Sequence, residues 1–186
     1  MASGIIEKSN SGLFENEIEF NGKYATMVRY LRDDVKIFTT FREAYVISAI
    51  VGYLNKKSIS TDNDEKVQPA SIFPNELNKR KQDLRLIYRI IMLTEDNPNY
   101  SIEDYMNRAF RDDAENENLD KIKNNMATFN SYVCNGLEYL YNKFKDIDKV
   151  DDVINTLYEF VHDFIVDVGF SDDGEGELPD FNPDFD

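Results

Sequence analysis

The sequence predicts an all-α fold. Three observations carry that expectation: apolar residues recur three and four apart over long stretches, Gly (8) and Pro (5) are few, and turn-forming clusters interrupt the chain at only a few places. The expected architecture is a compact bundle of about five to six helices around a central buried helix, with a disordered acidic C-terminal tail. The 186 residues suit one domain with appended segments: an N-terminal arm over 1–20, a helical domain over 21–170 and the tail over 171–186. Hydrophobic residues make up 41% and aromatics 13%, enough apolar surface for a core that needs no metal or disulfide.

The elements follow in chain order. Residues 1–20 are polar and weakly patterned, and Leu13, Phe14, Ile18 and Phe20 suit a short arm or strand docked on the body. Tyr24, Met27, Val28 and Leu31 have helical spacing. Thr39 or Thr40 can cap the next helix, and Glu43, three residues after Thr40, completes a capping-box pattern. Over residues 41–54 apolar side chains occupy nearly every face, which marks a helix packed on several sides. This is the expected central helix, and Gly52 within it points to a close helix–helix approach.

Residues 55–80 read as a connector, polar over 58–65 and anchored at its end by Ile72, Phe73 and Leu77, with Pro74 suited to a helix first turn. Residues 82–95 form a helix with Leu84, Ile87, Tyr88, Ile91 and Met92 on one face, and Asp96-Asn97-Pro98-Asn99 ends it. Ser101 and Asp104 make a shortened capping box for a helix reaching Arg111. After an acidic loop over 112–118, residues 119–145 form a long helix whose seam includes Ile122, Met126, Phe129, Val133, Leu137 and Leu140. Gly136 inside it signals close packing or a kink. Asp148 can cap a final helix carrying Val150, Val153, Ile154, Leu157, Val161, Phe164 and Ile165, which Gly169 stops.

Charge narrows the function classes. A net charge of −15 opposes general coating of DNA and attraction to an anionic membrane, and favours a basic surface on a partner protein. The longest apolar stretch, residues 44–54, is too short to span a bilayer. No basic region followed by an apolar one opens the chain, so no secretory signal is read and a cytoplasmic location is expected. Cys134 is the single cysteine, which excludes an internal disulfide and fits a reducing compartment.

Chemical motifs are sparse. The sequence has no glycine-rich phosphate loop, no serine nucleophile elbow, no HExxH and no paired CxxC. His162 beside Asp163 lacks further metal ligands and reads as a half-buried helix histidine. Cys134 has no histidine at a suggestive position and reads as a small core residue. Asp146, Asp148, Asp151 and Asp152 lack the glycine and distal glutamate of a calcium loop in register, and read as capping and solvated residues. The sequence therefore nominates no catalytic, cofactor-binding or metal-ligating residue, and a non-enzyme is expected.

Two features stand out as interaction candidates. Lys79, Arg80 and Lys81 precede Arg85 and Arg89, and Lys81, Arg85 and Arg89 share one helix face, either as a solvated stripe paired with nearby carboxylates or as a strip for phosphate or acidic groups. In the tail, Leu178, Phe181 and Phe185 are spaced among acidic residues with no lysine or arginine, a composition suited to ordering against a basic, partly apolar groove.

The run Ile37-Phe38-Thr39-Thr40-Phe41-Arg42-Glu43 and the apolar stretch to Gly52 resemble the opening motif of the family known as Dnd system-associated protein 4. The run from Phe129 through Tyr132 and Gly136-Leu137 to Glu138 resembles that family's later Phe-x-x-Tyr-x-x-x-Gly-Leu/Ile-Glu pattern, and the apolar stretches 86–93 and 108–110 fall where its intervening helices would lie. The resemblance spans residues 35–145 and brings no catalytic residue with it. It implies a non-enzymatic accessory or adaptor subunit of a bacterial anti-phage defence complex, of the kind that accompanies DNA phosphorothioation, working by protein–protein contact with a larger ATPase or nuclease. The alternative drawn from charge is an acidic DNA mimic or inhibitor that occupies the nucleic-acid site of a nuclease or restriction enzyme.

Overall fold

A computed structural model of the chain describes residues 4–7, 12–55, 66–112, 119–147 and 149–167. The tail residues Leu178, Phe181 and Phe185 lie outside them. The chain divides into two compact units, residues 1–146 and residues 147–186. The fold is mostly helical, as expected. In the first unit the order is β1 (Ile5–Glu7), β2 (Ile18–Phe20), α1 (Lys23–Arg29) running into a π-helical turn (Tyr30–Asp34), α2 (Phe41–Asn55), β3 (Ala70–Ile72), α3 (Pro74–Asn78), α4 (Lys81–Thr94), α5 (Ile102–Phe110) and α6 (Leu119–Phe144).

The body of this unit is α2 laid against α6. The two helices meet at glycines: a Cβ on Gly52 would stand 1.9 Å from the Tyr132 carbonyl oxygen, and a Cβ on Gly136 would stand 1.9 Å from the Ser48 carbonyl oxygen. No side chain larger than hydrogen fits at either position. Around this crossing Asn135 donates from Nδ2 to the Gly52 carbonyl at 3.0 Å, and the Tyr45 hydroxyl donates to Asn130 Oδ1 at 2.6 Å. Both hydrogen bonds are buried, so each polar group retains a partner on leaving water.

Local sequence explains where α2 begins. The Glu43 amide donates to Thr40 Oγ1 at 3.1 Å, while Glu43 Oε2 accepts from the Thr39 and Thr40 amides, the reciprocal pattern expected from the spacing. The faces of α2 differ from expectation. Ala44, Tyr45, Ser48, Ala49, Val51 and Gly52 are buried, but Ile47 is 40% and Leu54 43% exposed. Ile47 and Leu54 stand seven apart, on one outward line. The helix is apolar all round, yet it is not covered all round, because the close approach to α6 takes place on its small-residue face.

Aromatic rings fill the core beside the crossing. Phe14, from the N-terminal segment, meets Phe129 at 5.6 Å, Tyr88 at 6.2 Å and Tyr45 at 6.5 Å between ring centroids, all edge to face. The segment expected to be an arm or strand docked on the body supplies both a strand, Ile18–Phe20, and part of the core. It also builds a sheet that composition did not suggest. The strand order is β1-β2-β3, all antiparallel, with Ile5 opposite Phe20 and Ile18 opposite Ile72. Ile18, Phe20, Ala70 and Ile72 are buried, alternating along their strands with the half-buried Glu19 and Ser71.

The second unit holds one helix among its described residues, α7 (Val150–Asp167). The sequence reading grouped this helix with the domain over 21–170; the chain divides ahead of it, between residues 146 and 147. The apolar residues of α7 are largely exposed, Val150 at 74% and Ile154 at 58%.

Phe14 has a φ of 59°, a conformation disfavoured for a bulky side chain, and it is fully buried. The surrounding rings hold it there. Replacing Phe14 with Ala removes those contacts while leaving the strained backbone, so chemical denaturation should show a loss of about 3–5 kcal/mol. A loss below about 0.5 kcal/mol would place the ring outside the core.

Candidate functional site

The basic stripe sits on the α4 side of the α4–α5 pair, and the chain itself uses several of its charges. Lys81 Nζ lies 2.5 Å from Glu15 Oε1, and Arg80 lies 3.4 Å from Asp83. Glu15 is held below the usual carboxylate range, chiefly by the Lys81 hydrogen bond; burial opposes this, and the charges of Lys81 and Arg85 add to it. Arg85 is half-buried on the same face. The Arg89 guanidinium stands 5.3 Å over the Phe110 ring, with its Nε buried and without a hydrogen-bond partner. Lys79 and Arg80 are exposed at the turn before α4.

Next to this stripe lies a set of apolar side chains that the sequence reading did not single out. Leu86 (58% exposed) and Ile90 are on the outward face of α4; Ile102 (84%), Met106 and Phe110 follow one another at steps of four along α5. Arg89 joins the two helices' faces through its contact with Phe110. The signal was present in the sequence: Leu86 and Ile90 fall off the Leu84–Tyr88–Ile91 seam, and a helix needs only one such seam to pack.

A buried polar network fixes the hairpin from below. Arg108 is 7% exposed and forms an ion pair with Glu95 at the end of α4. Its Nε donates to Asn125 Oδ1 on α6 at 2.9 Å, and Asn125 Nδ2 donates to Asp112 Oδ2 at 2.9 Å. Arg108 also lies 4.5 Å over the Tyr100 ring, and its carbonyl accepts from the Tyr88 hydroxyl at 3.1 Å. The start of α5 is closed by the expected capping box, Asp104 N to Ser101 Oγ at 3.2 Å and Ser101 N to Asp104 Oδ2 at 2.8 Å. The surface is thus displayed on a rigid support.

The other sequence candidates fall elsewhere. His162 is exposed, not half-buried, and stands 3.9 Å from the equally exposed Asp163. Asp146, Asp151 and Asp152 are exposed, and Asp148 lies outside the described residues. Among the described residues no group of His, Cys, Asp and Glu could hold a metal ion. A cleft of about 360 Å³ is lined by Asn135, Glu138, Tyr139, Asn142 and Lys143. Its carboxylate, Glu138, already accepts from Lys23 and from the Tyr24 hydroxyl, each at 2.8 Å, and so ties α1 to α6.

Cys134 is buried beside that tie, and burial pushes its thiol up to about 12. At pH 8 the native protein should therefore react with a thiol reagent on the order of 100-fold or more slowly than the denatured chain. Equal rates would show an accessible cysteine.

Among the described residues no helix is long and apolar enough to cross a membrane. In comparisons with protein-family models, curated proteins and solved structures, nothing matched this chain.

Proposed function

We propose that this chain is a non-enzymatic accessory subunit that binds a larger protein through its α4–α5 surface. One observation carries the reading: Leu86, Ile90, Ile102, Met106 and Phe110 are all exposed on two helices packed against each other, and Arg89 of α4 lies over the Phe110 ring of α5. Apolar anchors next to arginine on a rigid support are the composition of a protein interface core, whereas isolated exposed apolar residues are ordinary. The net charge of −15 adds preference for a partner with a basic rim. The finer assignment, to a bacterial anti-phage defence complex with an ATPase or nuclease partner in the cytoplasm, rests on the family resemblance of the segments around Thr40 and Gly136. The crossing at Gly52 and Gly136 gives those motifs a packing role.

Co-expression with each protein encoded by the neighbouring genes tests the proposal. Wild type should be captured stoichiometrically with one of them, and Leu86→Asp with Ile102→Asp should abolish capture. Both positions are solvent-exposed, so stability should change by no more than about 0.5 kcal/mol per substitution. Full capture by the double variant would reject this surface.

A further inference from the structure

In α7 all the apolar residues but Val166 form one uninterrupted face. Val150, Ile154, Leu157, Val161 and Phe164 follow one another by four, three, four and three residues. Val153 and Phe160 flank that line on one side, Tyr158 and Ile165 on the other. Together they span about 160° of the circumference with no polar residue among them. Val150 is 74%, Tyr158 73% and Ile154 58% exposed. A single helix has no means of covering such a face by itself, and α7 is rich in β-branched residues, whose weak helix propensity makes the helix depend on burial.

Charge decides what covers it. The opposite arc carries Asp151, Asp152, Glu159 and Asp163, the last turn adds Asp167, and α7 has no lysine or arginine. Two copies of this helix side by side would bring like charges together with no cation to offset them. The width of the apolar face also exceeds the narrow seam of a two-stranded coiled coil and matches a helix seated deep in a groove. We propose that α7 is a helical ligand that inserts into an apolar groove, rimmed by lysine and arginine, on a partner protein. This rests on the reading of the chain as a binding subunit. It uses a different unit from the α4–α5 surface and is tested with synthetic peptides, so either can fail alone.

The test uses the full chain and two fluorescent amphipathic helical peptides with the same leucine face, one rimmed with lysine and one with glutamate. Wild type should bind the lysine-rimmed peptide at least about tenfold more tightly, with affinity falling as salt rises. Leu157→Asp with Val161→Asp adds negative charge yet should weaken that binding at least about tenfold; retained affinity would mean attraction by net charge alone and would overturn the proposal. Asp152→Lys with Asp163→Lys leaves the apolar face intact and should reduce the preference for the lysine rim about tenfold; an unchanged preference would overturn it too. Sedimentation should show a monomer, and self-association abolished by Leu157→Asp would overturn it in favour of a second copy.

Discussion

The fold depends on one contact, the crossing of α2 and α6 at Gly52 and Gly136. Each glycine lies where a Cβ would stand 1.9 Å from a carbonyl oxygen of the other helix. At that separation the backbones themselves are the contact surface, and the side chains on either side are committed by it. Tyr45 is brought to Asn130 and Phe129, and Asn135 reaches the Gly52 carbonyl. The Ser48 hydroxyl is buried there without a hydrogen-bond partner, at a cost of about 1–3 kcal/mol. Interiors this dense transmit displacement, so anything that separates the two helices also loosens the aromatic cluster and the attachments made through α6.

Those attachments reach the α4–α5 surface. On α6, Glu138 holds Lys23 and Tyr24 of α1, and Asn125 holds Arg108 of α5. Arg108 in turn pairs with Glu95, and Tyr88 of α4 donates to its carbonyl. The orientation of the α4–α5 surface is therefore set from α6 through buried polar contacts. Such contacts are directional, and they fix a hairpin more narrowly than apolar packing alone would.

Much of this was legible in the sequence because it is local. Thr40 with Glu43 and Ser101 with Asp104 lie within one helical turn of each other, and both pairs form the expected hydrogen bonds. Gly52 and Gly136 contradict helix propensity inside long apolar runs, and close packing explains both. A strand near Ile18 and Phe20 was legible, but the three-stranded pairing was not. Its strands are three residues long, too short for an alternating pattern to stand out, and β2 pairs with a β3 some fifty residues away. Nor does sequence say which way a helix turns an apolar face that is broader than its contact. Ile47 and Leu54 on α2, Leu86 and Ile90 on α4 and most of the α7 seam are apolar residues of helices, and they are exposed. Of the basic stripe, the charge was visible. Its partners were not, because Glu15 lies 66 positions from Lys81.

The central claim, that the glycine crossing sets the separation of α2 and α6, is tested most directly by a double-mutant cycle of Gly52→Ala and Gly136→Ala, read by denaturant unfolding. The two sites clash with the same pair of backbones, so once either substitution has forced the helices apart the second should add little. The account predicts a double-mutant loss smaller than the sum of the single losses by at least about 1 kcal/mol. Additive losses within about 0.5 kcal/mol, or single losses no larger than those of exposed substitutions, would contradict it.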